Sequence, residues 1–240
     1  MRTIIIVLYY FIVCVISIPL LLIECIVRKI NEKAAAAFAI RVVYVAFNIT
    51  MFISGCRKHV TGIENIPKDT PVMFAANHRS FYDIIFAYAS IASAGVQVAF
   101  VSKIEIKKFP MIAQWMYFLN CLFMDRGDIK QNMGVILKAI SLVKDGYSIY
   151  IAPEGTRNAT DTLLEFKEGS MKIATKTNAP IVPVCIKNTE KIFEDHLPWV
   201  KGGDIYIEYG EPIYPNQLDK EQKKHIGAYV QSVIQKMYDK

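Results

Sequence analysis

Two short polar clusters contain the residues of this sequence that are best suited to acid–base chemistry. The first cluster, Asn77 to Asp83, includes His78, which stands five positions before Asp83. A histidine can take the proton of a hydroxyl that attacks a carbonyl, and a carboxylate on its other ring nitrogen stabilises the resulting imidazolium. On one continuous helix the two side chains would point away from each other. We therefore expect His78 in a turn and Asp83 in the first turn of a helix that Ser80 caps.

The second cluster runs from Ala152 to Arg157 and is suited to binding an anion. Gly155 lets the backbone approach a ligand closely, and the guanidinium of Arg157 matches the geometry of a phosphate. Each cluster alone also has an ordinary structural explanation. The first is compatible with a capped helix that carries a surface histidine, and the second with a polar turn that contains an ion pair.

From about residue 57 onwards, predicted strands alternate with predicted helices, and each polar cluster directly follows one of the strands. A buried strand at 71–76 precedes the first cluster, and another at 147–152 precedes the second. In open α/β sheets, ligands bind beyond the carboxyl ends of strands. The pattern predicts an α/β fold with a mixed, mostly parallel sheet flanked by helices, preceded by an N-terminal two-helix membrane-associated segment. Further strands are expected at 97–102, 121–124, 181–186 and 204–209, and helices at 81–93, 111–119, between 128 and 146, at 169–176 and at 218–238.

The N-terminal segment is apolar enough to enter a membrane. Residues 4–27 are interrupted only by Ser17, Pro19 and Glu24, and about 20 apolar residues suffice to span a bilayer. A signal peptide is disfavoured, because the run is long and no small-residue cleavage site follows it. A second apolar segment, 34–56, has the character of a membrane helix or of a helix in a soluble core.

Basic residues stand at all three ends of the two apolar segments, so the positive-inside rule gives no clean orientation for two full spans. We expect a helical pair that dips into one leaflet of the cell membrane from the cytoplasmic side. The chain then divides into a two-helix membrane anchor, residues 1–56, and a second domain, residues 57–240.

Composition narrows the classes of function. The net charge of +6 suits anionic partners, but the basic residues are dispersed, which argues against nucleic acid. The five cysteines and four histidines have neither disulfide-framework nor metal-ligand spacing, so we expect no metal site. The Gly-x-Ser-x-Gly elbow of a serine hydrolase of lipids is absent.

Together, the motifs resemble those of the glycerolipid acyltransferase family. Asn77-His78-x-Ser80-x-x-Asp83 is similar to the NHxSxxD motif of that family, and residues 154–157 match its EGTR motif. Order and spacing agree from about 57 to 210, and the PlsC-type 1-acyl-sn-glycerol-3-phosphate acyltransferase branch is the most similar. Four further blocks resemble the KxEL…P, FxxR, FKxG and VPV elements: Lys103–Ile106 with Pro110, Phe123–Arg126, Phe166–Gly169 and Ile181–Val184. In two departures, Ala152 replaces an aromatic residue and Asn120 replaces a glycine.

The resemblance implies transfer of a fatty acyl group from a thioester to the sn-2 hydroxyl of 1-acyl-glycerol 3-phosphate (lysophosphatidic acid). The product is phosphatidic acid, for phospholipid biosynthesis. His78 would be the catalytic base and Asp83 its partner, and neither a metal nor another cofactor would be needed. Lys103 and Arg157 would hold the acceptor phosphate, with Arg126 as a third contact. The implied substrate-binding residues are Lys103, Arg126, Glu154, Gly155, Thr156 and Arg157.

The implied partners are the lipid bilayer, lysophosphatidic acid and an acyl donor, which is acyl-CoA or acyl-carrier protein. No nucleic acid is expected among them. The catalytic domain, residues 57–240, would work on the cytoplasmic face of the cell membrane. The residues leave two alternatives open: an acyltransferase that acts on glycerol 3-phosphate or another lysolipid, and an inactive membrane protein that binds lipid phosphates.

Overall fold

The computed structural model describes residues 1–125, 127–160 and 162–240. The helices are α1 (Arg2–Ile30), α2 (Glu32–Ser54), α3 (Phe81–Ser93), α4 (Pro110–Phe118), α5 (Ile129–Lys144), α6 (Glu168–Thr177), α7 (Lys220–Lys224) and α8 (Ile226–Tyr238). The strands are β1 (Cys56–Thr61), β2 (Met73–Ala76), β3 (Val98–Lys103), β4 (Leu122–Met124), β5 (Ser148–Ile151), β6 (Ile181–Lys187) and β7 (Gly203–Tyr209). Short 3₁₀ helices occupy Ile63–Asn65, Ile104–Lys108, Glu190–Ile192 and Glu194–His196.

The described strands form one sheet in the order β1-β7-β6-β2-β5-β3-β4. Neighbouring strands are parallel in every described pair except β6 and β7. The predicted mixed, mostly parallel sheet flanked by helices, with two apolar helices before it, is therefore confirmed. Strand β1 was not predicted, because its side chains are largely exposed and polar, as at an edge of the sheet.

Strand β2 lies in the middle of the sheet and is buried on both faces. Phe74 and Ala76 pack in one hydrophobic core with residues of α2 and α3. Met73 and Ala75 pack in the other core, with residues of α5, α6 and α8. This continuous apolar strand, covered by helices on both sides, is typical of parallel sheets. It holds the first polar cluster at the centre of the carboxyl edge.

The C-terminal helix predicted at 218–238 is two helices in the structure. Asp219 caps α7, and the chain leaves helical geometry at His225. The backbone N–H groups of Gly227 and Ala228 then donate to Oε1 of Glu168, at 3.0 and 3.4 Å. A carboxylate from another helix thus caps α8, which local sequence patterns do not reveal.

Helices α1 and α2 are both long and apolar enough to cross a membrane, with mean hydropathies of 2.8 and 1.9. Helix α1 turns polar residues toward the protein. Ser17 is buried and its Oγ accepts a hydrogen bond from Trp115 Nε1 at 3.0 Å, and Glu24 is fully buried. Its apolar residues face outward, with Phe11 68% and Leu22 63% exposed. This arrangement is the reverse of that of a surface helix in a soluble protein.

Helix α2 is part of the core beneath the sheet as well as a neighbour of α1. Ala39, Val43 and Met51 pack in the same hydrophobic core as α3. At the end of the helix, the hydroxyls of Ser54 and Tyr82 are hydrogen-bonded at 2.7 Å. The second apolar segment therefore contributes to the core that supports α3, which is the role that its sequence left open.

Candidate active site

His78 and Asp83 lie together at the carboxyl end of β2. Nδ1 of His78 is 2.9 Å from Oδ2 of Asp83, and the exposed fractions of the two side chains are 16% and 1%. The residues between them form the expected turn, and Asp83 stands in the first turn of α3. The other imidazole nitrogen, Nε2, has no hydrogen-bond partner among the described residues.

The carboxylate of Asp83 is held by four donors. Oδ2 accepts from the backbone N–H of Arg79 at 2.7 Å and of Ser80 at 2.8 Å, in addition to His78. Oδ1 accepts from the hydroxyl of Thr189. In this position the carboxylate can stabilise a positive charge on the imidazole. Asp83 is therefore fixed in position before any substrate arrives.

Ser80 is the N-cap of α3, as expected. Its Oγ accepts from the backbone N–H of Tyr82 at 3.0 Å and donates to Oε2 of Glu194 at 2.6 Å. The other oxygen of Glu194 accepts from the N–H of Phe81 at 2.8 Å and from Arg157 Nη1 at 3.2 Å. Glu194 thus joins the start of α3 to the guanidinium of the second cluster. A serine occupied in this way acts as a cap.

Glu154 connects the two polar clusters through their backbones. Its Oε1 accepts from the N–H of His78 at 2.8 Å, and its Oε2 accepts from the N–H of Leu164 at 2.9 Å. The side chain is buried, and burial raises the pKa of its carboxyl above the ordinary value, although the two backbone donors oppose that effect. Asn158 adds a second link, since its N–H donates to the carbonyl of His78 at 2.7 Å.

A cavity of about 1020 Å³ opens beside this arrangement. Its lining combines the predicted site residues with apolar side chains of α5. Arg157 lies over the ring of Phe81, 3.9 Å from the ring centre. Lys103, at the carboxyl end of β3, pairs with Glu105 at 2.6 Å, and hydrogen bonding to Lys103 holds the pKa of the Glu105 carboxyl below its ordinary value. The predicted site residues in the lining are His78, Lys103, Gly155, Thr156 and Arg157.

The structure therefore brings most of the predicted site residues to one edge of the sheet. Glu154 lies next to the cavity, with its carboxylate turned to backbone donors. Arg126, predicted as a third phosphate contact, lies outside the described residues. Among the described side chains, no group of three His, Cys, Asp or Glu residues is arranged to hold a metal ion.

Thr189 and Glu194 were not identified from the sequence. Both lie in the segment that follows β6, more than a hundred positions from the His78 cluster that they contact. No local motif marks them, because their role depends on β6 lying beside β2. Asn77 of the NHxSxxD motif is the sequence feature that is connected with this pairing. Its side chain bonds both the N–H and the carbonyl of Ile186 in β6, each at 2.8 Å.

Comparisons with known proteins agree on one family. A family model described as acyltransferase matches residues 57–187. The chain is similar to a 1-acyl-sn-glycerol-3-phosphate acyltransferase of Borreliella burgdorferi, with 30% identity over 78% of this chain and 74% of that protein. It is similar to the Escherichia coli protein of that name, with 28% identity over 98% of this chain and 90% of that one.

A chloroplast relative from Brassica napus, also described as a 1-acyl-sn-glycerol-3-phosphate acyltransferase, is 33% identical over 67% of this chain. The chain spans about half the length of that relative, 46%. Among solved structures, the fold is similar to that of the 1-acyl-sn-glycerophosphate acyltransferase PlsC from Thermotoga maritima. The two share 26% sequence identity with a TM-score of 0.82, over 100% of this chain and 97% of that one.

Proposed function

This chain belongs to the acyltransferase family, and we propose that it converts lysophosphatidic acid to phosphatidic acid. The reaction transfers a fatty acyl group from a thioester to the sn-2 hydroxyl of the acceptor, a step of phospholipid biosynthesis. The observation that carries the proposal is the pair of His78 and Asp83, 2.9 Å apart beside a cavity that Lys103 and Arg157 also line. Relatives that carry the name of this activity support it.

In the proposed mechanism, His78 acts as the general base. Nε2 takes the proton of the sn-2 hydroxyl as its oxygen attacks the thioester carbonyl carbon. The positive charge on the imidazole is stabilised by Asp83 through Nδ1. When the tetrahedral intermediate collapses, the carbon–sulfur bond breaks and the leaving sulfur receives the proton from Nε2. No acyl-enzyme forms, so Ser80 serves as a helix cap throughout.

The acceptor phosphate binds to Lys103 and Arg157 in this proposal. The guanidinium is oriented by Glu194 and by the ring of Phe81, and Arg157 lines the cavity. A preorganised guanidinium binds phosphate with less loss of side-chain entropy than a free one. Gly155 and Thr156 complete this wall, and Arg126 is proposed as an additional contact. Glu154 positions the two loops instead of contacting the substrate.

We further propose that α1 and α2 hold the enzyme in the cytoplasmic leaflet of the cell membrane. The outward apolar surface of α1 and its buried polar residues support insertion into lipid. The contacts of α2 with the core beneath the sheet support a pair that remains docked on the catalytic domain. Exposed basic residues on either side of the junction between the two helices, Lys29 and Lys33, can reach lipid headgroups.

The proposed function is tested by purifying the full chain in detergent and supplying labelled palmitoyl-CoA. The acceptors are lysophosphatidic acid, glycerol 3-phosphate, and lysophosphatidylcholine or lysophosphatidylethanolamine. We expect labelled phosphatidic acid, and loss of turnover in His78→Ala without loss of folding. Transfer to another acceptor at a higher kcat/KM would contradict the assigned substrate. Unchanged kcat in the alanine variant would contradict the mechanism.

A further inference from the structure

The cavity beside His78 continues as a groove between α5 and α6. Met133 and Leu137 contribute to its wall from α5, four positions apart on one apolar face. Gly169, Lys172 and Lys176 contribute from α6, at spacings that also place them on one face. The groove thus has an apolar side and a basic side, and it extends well beyond the residues needed for proton transfer.

The groove runs from the catalytic edge of the sheet toward the opposite edge. Helix α6 starts beside the second polar cluster, where the N–H of Lys167 donates to the carbonyl of Pro153 at 3.0 Å. It ends just before β6, at the amino edge of the sheet. With a rise of 1.5 Å per residue, Lys176 lies about 13 Å beyond Lys167 along the helix. Lys144, in the last turn of α5, lines the same end.

The part of the groove beyond Lys167 is lined by three lysines, here called the far lysines: Lys144, Lys172 and Lys176. All three are exposed residues that line the cavity. Within residues 1–125, 127–160 and 162–240, none of them has an ion-pair partner. The described lining as a whole holds six Lys and Arg side chains and one carboxylate, that of Glu105. Unpaired cations grouped in a concave surface attract an anionic ligand.

The acceptor phosphate is not that ligand. In lysophosphatidic acid the reacting hydroxyl and the phosphate are attached to adjacent carbons of glycerol. When the hydroxyl lies at His78, its phosphate must lie within a few ångströms, in reach of Lys103 and Arg157. Along α6, Lys172 and Lys176 lie about 7.5 and 13 Å beyond Lys167. A ligand that uses both ends of the groove must carry its phosphates on a long arm.

We propose that the far lysines bind the phosphates of an acyl-CoA donor, with its pantetheine arm lying in the groove. This inference rests on the proposed acyltransferase function. The arm between sulfur and diphosphate is about as long as four extended peptide residues, roughly 14 Å, which matches the span of α6. The amides of the arm suit the polar side of the groove, and its methylene groups suit the apolar side formed by α5. The three lysines equal in number the phosphates of CoA, which are the two of its diphosphate and the 3′-phosphate. The arm of acyl-carrier protein carries only one phosphate.

The test compares palmitoyl-CoA with S-palmitoyl-pantetheine, which has the same reacting thioester and arm but no phosphate. The variant is Lys172→Gln with Lys176→Gln. The matched control is Lys138→Gln, an exposed lysine of α5 that lies outside the cavity lining. We expect the double variant to raise the KM for palmitoyl-CoA at least about 10-fold. The KM values for palmitoyl-pantetheine and for lysophosphatidic acid, and the behaviour of the control, should stay unchanged.

Three outcomes would overturn the inference. Equal losses with both thioesters would mean that the lysines shape the site and do not bind phosphate. A raised KM for lysophosphatidic acid would assign them to the acceptor. Loss with palmitoyl-carrier protein but not with palmitoyl-CoA would make the surface a docking site for the carrier. The proposed function fails separately, if the unaltered chain transfers palmitate from neither thioester.

Discussion

Replacing Asp83 with asparagine separates its structural role from its electrostatic role. The amide oxygen of asparagine can take the place of Oδ2 and accept from His78 and from the N–H groups of Arg79 and Ser80. The amide nitrogen then faces Thr189, whose hydroxyl now donates to Oδ1 and can rotate to accept. Every hydrogen bond of the carboxylate thus has a neutral counterpart, and the turn that holds His78 should persist.

The substitution should therefore reduce the stabilisation of the transition state, in which the imidazole of His78 becomes positively charged. That side chain is only 16% exposed, so water can replace little of the missing carboxylate. Removing one partner of a buried ion pair costs about 3–5 kcal/mol, and each 1.36 kcal/mol on the barrier is tenfold in rate. We expect kcat to fall about 10²- to 10⁴-fold. The free energy of unfolding should fall by only about 1 kcal/mol, the value of a carboxylate at a helix N-terminus.

The measurement is steady-state kinetics with palmitoyl-CoA and lysophosphatidic acid, together with thermal unfolding of the same preparations. Thr189→Ser serves as the control, because it keeps the hydroxyl that donates to Asp83 and should retain kcat within about 3-fold. The reasoning is refuted if Asp83→Asn also keeps kcat within that range. A large drop in its unfolding temperature would instead show that the charge is needed to form the turn.

Three other substitutions test separate features of the molecule. Glu154→Gln can accept from only one of the two backbone N–H groups of His78 and Leu164, so kcat/KM should fall about 5- to 150-fold; equal activity would show that the link between the loops is dispensable. Arg157→Ala should raise the KM for lysophosphatidic acid about 10- to 150-fold while the donor KM changes less, and equal changes in both constants would exclude a specific phosphate contact. Leu22→Glu, on the outward face of α1, should reduce co-sedimentation with liposomes and leave activity in detergent unchanged, and full retention on liposomes would contradict the insertion of that face.

Features that depend on local chemistry were predictable from the sequence. The buried strand at 71–76, the Ser80 cap and the position of Asp83 in the first helical turn follow from periodicity and capping preferences. The placement of His78 and Arg157 at the same edge of the sheet was also predictable. Each residue follows a buried strand, and the two strands, β2 and β5, are parallel neighbours.

Features that depend on distant partners were not predictable. Thr189 and Glu194 have no motif, because their contacts exist only after β6 and β2 are aligned. Oε2 of Glu154 accepts from the backbone N–H of Leu164. A backbone contact to a residue with an apolar side chain leaves no pattern in the sequence. Asn120 is an intermediate case: it replaces the glycine of related motifs, and the structure places it at φ 57°. Asparagine tolerates this left-handed conformation better than most residues, so the departure preserves the turn.

The polar groups buried along α1 have a mechanical consequence for the enzyme. Arg28, held by Glu24, donates to the carbonyl of Phe118 at 3.1 Å and stacks on its ring. Hydrogen bonds of this kind are strong where water is scarce, so α4 should follow movements of α1. Since α4 begins directly after Phe109, which lines the cavity, lateral pressure on α1 in its proposed place in the bilayer can reach one wall of the cavity. Turnover in vesicles should therefore vary with the curvature stress of the lipids, and the membrane that receives the product would set the rate at which it is made.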